Sequence, residues 1–129
     1  MIFRSDMDTS TLKEIEEMQL FLESDPPTEP QAMSSRLSEL SVRMARSSYL
    51  LAIAKYEQDL AMIKASRLKD LIPLAPSVQK EILKSACAEE NKLVNWLDRI
   101  NRTCVHQSDN LRTQLSFEKE QIRQMGYNT

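Results

Sequence analysis

Cys104, His106 and Asp109 stand within six residues of one another, and a thiol, an imidazole and a carboxylate are the groups from which nucleophilic or metal sites are made. Their spacing argues against both uses. On a helix, positions 104 and 106 diverge by roughly 200°, so the thiol and the imidazole face opposite ways. Zinc would need further ligands in a recognisable spacing, and the chain supplies none. These residues read instead as a cysteine in an apolar seam beside a His106, Asp109, Arg112 ladder of i, i+3 neighbours. The sequence has no Gly-rich phosphate loop, no HExxH, no GxSxG and no paired-carboxylate pattern, so no enzyme activity, metal or cofactor is expected.

A second set of residues suits a different chemistry. Arg36, Arg43, Arg46, Lys64 and Arg67 project within roughly 140° on one predicted helix, with Tyr49 and Tyr56 interleaved among them. Cations beside aromatic rings are what a nucleic-acid surface needs: charge for the phosphates and flat faces for the bases. A charged helical face is also what any solvated helix shows. Charge is unevenly spread behind the net value of -2: residues 1–30 carry -6, residues 31–69 carry +4, and residues 70–129 balance. Trp96, the sole tryptophan, is expected to anchor packing between helices or subunits, with base stacking as the other use.

The elements that must hold these residues are helices. One glycine in 129 residues, with 41% hydrophobic residues and abundant Leu, Glu, Lys, Gln, Ala and Met, argues against hairpins and tight βα turns. A long helix is predicted over 76–125, where Leu93, Leu97, Ile100, Cys104, Leu111, Ile122 and Met125 keep 4-3 spacing, with Gln107 and Glu118 as polar members. Gly126 follows as its expected left-handed cap. A second long helix is predicted over 28–71, capped by Thr28, with Pro30 in its first turn. It carries two stripes. Met33, Leu37, Leu40, Met44, Leu51 and Ala54 form one; Val42, Tyr49, Ile53, Tyr56, Leu60 and Ile63 form the other, about half a turn round. Small residues from Ala45 to Ala54 permit close approach, and Asn101, Gln107 and Ser108 beside the seam are of the kind that fixes register.

The two helices are expected to fold back antiparallel about the Leu71–Pro76 break, making an all-α, coiled-coil-like hairpin domain over 28–129. Residues 1–27 read as an acidic N-terminal arm, in which Thr11 and Glu14 fit a capping box for a short helix to Glu23. That helix is either a lid on the hairpin or a docking arm. One hairpin partner covers only one stripe of the middle helix, so Tyr49, Ile53, Tyr56 and Leu60, with Trp96, are the expected homo-oligomer interface. Cys87 and Cys104 are about 25 Å apart along one predicted helix and cannot pair within the chain. With no signal-like stretch and no apolar run near ~18 residues, the chain reads as soluble, reduced and cytoplasmic, with no membrane partner.

The basic helix Thr28–Leu71, the break at Pro73–Pro76, and the Trp96, Cys104, Asp109 run of the last helix together resemble the UvsY-type recombination mediators of tailed phages. The likeness covers about residues 28–125 and is one of architecture and residue types, without a specific motif. It implies a ring-forming protein in the cytoplasm of a bacterial host that binds single-stranded DNA and contacts a single-strand-binding protein and a recombinase. Such a protein loads the recombinase without hydrolysing nucleotide. The alternative is a helical structural or adaptor protein, such as a virion or assembly component, that acts only through protein–protein contacts.

Overall fold

The computed structural model describes residues 8–67 and 73–127, without the side chain of Tyr127. Four helices follow in order: α1 (Thr9–Glu23), α2 (Pro30–Ser66), α3 (Pro76–Ala86) and α4 (Ala88–Tyr127). No strand occurs among the described residues. At about 1.5 Å per residue, α2 and α4 are rods of roughly 55 and 60 Å, and they pack along each other as the expected antiparallel hairpin.

Two polar clamps set the register of that hairpin. The Asn101 amide donates to the Met44 carbonyl at 3.0 Å, to Ser47 Oγ at 3.1 Å and to Ser48 Oγ at 2.7 Å. Further along, Gln58 donates to Asn91 Oδ1 at 2.6 Å. Between and beyond the clamps the inner side of α2 meets the seam of α4, with Leu50 and not the expected Leu51 fully buried. Leu40, Leu50, Leu97, Ile100 and Cys104 lose essentially all contact with solvent, each large aliphatic contributing roughly 1.5–3 kcal/mol by the water it leaves. Ile15, Met18 and Leu22 of α1 complete the same core. The N-terminal helix is therefore a third member of the bundle, packed in cis, and not a free arm.

The ends of the elements depart from expectation in instructive ways. Asp8, not Thr11, caps α1, its carboxylate accepting from the Ser10 amide at 3.2 Å and from Ser10 Oγ at 2.9 Å. Thr11 sits a turn inside the helix and is buried. Glu29 stands at the cap of α2 without a side-chain hydrogen bond and Pro30 opens the helix, so Thr28 is not the cap. Pro30 has the fixed φ of a first helical residue and no amide to satisfy. At its other end α2 stops at Ser66, short of Leu71; residues 68–72, including the first part of the expected bend, lie outside the described residues.

The predicted C-terminal helix is two helices. At Cys87 the backbone turns to φ -107, ψ 24, and its amide bonds back to the Leu83 and Lys84 carbonyls. No proline or glycine forces this. The break is held by packing, with Cys87 fully buried at the joint, and by Asn91, whose Nδ2 donates to the Lys84 carbonyl while Oδ1 accepts from Gln58. Pro76 opens α3, as its position after the break predicts. Gly126 is not a left-handed cap: α4 runs through it to Tyr127, and no described glycine has positive φ. The seam also outruns its partner. Met33 near the start of α2 lies level with Thr113 and Phe117, so Ile122 and Met125 project past α2 and are 59% and 68% exposed.

Candidate nucleic-acid interface and assembly face

The outer face of α2 remains open except at its Val42 end, where α1 lies alongside. Positions 42, 46, 49, 53, 56, 60, 63 and 67 recur at alternating steps of four and three, the spacing of a coiled-coil seam. Val42, Tyr49, Tyr56 and Ile63 are 48–68% exposed. Ile53 and Leu60 are half-buried, Ile53 packing against the core. Arg46 and Arg67 occupy the two seam positions near its ends, and Ala45 and Ala52 flank it, both exposed. Of the residues expected at an assembly interface, Tyr49, Ile53, Tyr56 and Leu60 thus share this face. Trp96 does not: its indole N–H donates to Gln19 Oε1 at 3.0 Å and its ring packs on the core, which commits it to holding α1 within the chain.

The five cations divide into two groups. Arg36 is buried, and its guanidinium donates to Ser24 Oγ at 2.8 Å, to the Phe21 carbonyl at 3.0 Å and to Gln107 Oε1 at 3.3 Å. Its Nε is buried without a partner. Arg36 and Arg43 place their guanidinium carbons 3.9 and 3.6 Å from the centroid of the Phe21 ring. Two such groups fit that close only on opposite faces, so the ring is held between them as a double cation–π contact. Arg46 forms a two-pronged ion pair with Glu14, with Nη2 to Oε2 at 3.0 Å. The hydrogen bond from Arg46 holds the Glu14 carboxyl below the usual carboxylate range, against a smaller opposing effect of burial. Lys64 and Arg67, at the far end, are exposed.

Arg36 is thus a bolt between α1, α2 and α4 and is withdrawn from any phosphate-binding set. Arg43 and Arg46 present one edge to solvent and spend the other on α1. Between them lies a shallow cleft lined by Glu14, Glu17, Met18, Val42, Arg43 and Arg46, whose mixed charges suit neither an anion nor a cation. Composition held a signal for this arrangement. A stretch of net -6 followed by one of net +4 is what two helices of one chain look like when they neutralise each other. Gln107 was legible as a polar residue of the seam, but its bonds to Arg36 and the Leu22 carbonyl, like the role of Phe21, depend on three helices meeting.

Cys104 is buried in the seam and His106 is exposed, so the geometry keeps thiol and imidazole apart. Asp109 pairs with Arg112 at 3.4 Å on the solvent side of α4. Burial pushes the thiols of both Cys87 and Cys104 above their ordinary value, which disfavours the thiolate needed for nucleophilic or redox chemistry. No group of three or more metal-ligating side chains occurs among the described residues, and no helix there is long and apolar enough to cross a membrane. Comparisons with protein-family models, curated proteins and solved structures find no match.

Proposed function

We propose that this chain is a non-enzymatic, self-assembling accessory protein that binds single-stranded DNA along the outer side of α2, in the manner of a recombination mediator that loads a recombinase. The observation that carries this reading is the combination on one face: an apolar 3-4 stripe from Val42 to Ile63 for assembly, with Arg46 and Arg67 near its ends and Arg43 and Lys64 along its edges for phosphates. A single copy offers few free charges, so useful affinity comes from repeating the face in an oligomer. The test is an electrophoretic mobility shift with a single-stranded oligonucleotide at low and high salt. Retention at low salt, lost with Lys64→Glu plus Arg67→Glu, supports the reading; no retention by the assembled protein overturns it.

The compensation of Arg36, Arg43 and Arg46 by α1 favours a second reading. With three of five cations engaged in cis, the apolar stripe is the larger feature, and the protein then acts as a helical adaptor through protein–protein contacts alone. Assembly without salt-dependent DNA retention selects this reading.

A further inference from the structure

The outer stripe is regular enough to name its partner. Steps of four and three continue without a break from Val42 to Arg67, more than three heptads and about 39 Å of helix. An exposed seam of that length calls for a straight helix of matching period laid along it. On this chain α4 has spent its seam on the inner side of α2 except for a short C-terminal stretch around Ile122 and Met125, and α3 spans only eleven residues. The helix that matches in length and pattern is α2 itself.

We infer that two copies of this chain pair through their α2 stripes, antiparallel, about a two-fold axis near residues 54 and 55. The inference rests on the assembly half of the reading above and gives it a geometry. Full overlap of the stripe in this sense sets Ile53 against Tyr56 of the second copy and Tyr49 against Leu60 of the second copy. Each tyrosine ring then meets an aliphatic side chain, and Ala45 and Ala52 let the backbones approach.

Charge decides the direction. Arg43 and Arg46 stand with Glu14 and Glu17 of α1 at the Val42 end of the stripe, and Lys64 and Arg67 lie at the other. Antiparallel pairing sets the seam cations Arg46 and Arg67 of one copy opposite Ile63 and Val42 of the other. Parallel pairing would set Arg46 against Arg46 and Arg67 against Arg67, and like charges in register oppose association. Because the two ends are equivalent by symmetry, the contact is isologous and closes as a dimer.

Sedimentation equilibrium combined with a spin-label distance tests the arrangement on the full chain. At tens of micromolar the protein is expected to be dimeric, or a multiple of dimers. Tyr56→Glu, an exposed position, is expected to leave a helical monomer by circular dichroism. A nitroxide on Ser41→Cys, exposed on α2 while both native thiols are buried, should report a separation near 40 Å across the antiparallel pair, from about 27 residues of axial offset. A distance of about 20 Å or less overturns the antiparallel direction. A monomeric wild type, or a Tyr56→Glu dimer, overturns the pairing itself. The mobility shift separates the two claims: a dimer of this geometry that ignores DNA refutes the DNA reading and leaves the pairing standing, and a monomer that retains DNA does the reverse.

Discussion

The two sides of α2 each carry an apolar stripe, and the two stripes meet opposite fates. On the inner side Met33, Leu40, Leu50 and Ala54 are closed in by α4 and α1; on the outer side Val42, Tyr49, Tyr56 and Ile63 are left about half exposed or more. The cations show the same contrast along the helix axis. Near α1 they are stacked on Phe21 or paired with Glu14, and at the far end Lys64 and Arg67 face solvent. An apolar stripe or a single cation therefore does not by itself reveal its role here. What it does follows from whether another element of the same chain lies over it.

Substitutions can break this comparison if it is mistaken. Leu97→Ala, at a position with no exposure, is expected to cost about 2–5 kcal/mol of stability by thermal or denaturant unfolding. Tyr56→Ala on the outer side is expected to change the stability of the unassociated chain by no more than about 0.5 kcal/mol while weakening assembly. Equal losses at both sites would erase the distinction between the faces. The cations divide in the same way. Arg36→Ala strips Ser24, the Phe21 carbonyl and Gln107 of a buried donor and is expected to cost about 2–4 kcal/mol. Lys64→Ala, fully solvated, should leave the unfolding midpoint where it is and show only in DNA retention.

The ion pair between α1 and α2 adds a pH dependence whose sign is fixed. Glu14 has a folded-state pKa below its unfolded value of about 4.3. Its contribution is present above that value and disappears as pH falls through the folded pKa. Glu14→Gln should therefore remove part of the loss of stability on acidification below about pH 4, with little change in the slope near neutrality. Both side chains are more than a third exposed, so the effect is a fraction of a kcal/mol, of the order of about 0.5. A small change of the opposite sign is expected at Glu57, buried with its Oε1 unpartnered. Glu57→Gln removes a buried charge and should raise the unfolding midpoint slightly, by the equivalent of about 1 kcal/mol or less.

Much of the fold was legible because its signals are periodic and local. The 3-4 spacing of Leu93, Leu97, Ile100 and Cys104, the two stripes of α2, and the prolines at 73 and 76 state the hairpin and its turn. Asn101 could be read as a register residue because a lone amide beside an apolar seam has few other uses. The break at Cys87 was not legible. No local breaker marks it, and it exists because Asn91 and Gln58 meet across two helices. The caps failed for a related reason: Asp8 and Thr11 both fit a cap, and packing, which buries Thr11, chose between them. The fate of the basic set needed the third dimension as well, since Arg36 differs from Lys64 only in what α1 places over it.

The most direct test of the central claim, that the protein works through the open face of α2, is the salt dependence of binding to a fluorescent single-stranded oligonucleotide, followed by anisotropy with wild type and with the Lys64→Glu, Arg67→Glu variant. Each phosphate neutralised on a single strand contributes a slope near 0.7 in log affinity against log salt. The account predicts steep salt dependence for the wild type, a slope reduced by one or more such increments in the variant, and unchanged helicity. An affinity indifferent to salt, or identical in the two proteins, would contradict it.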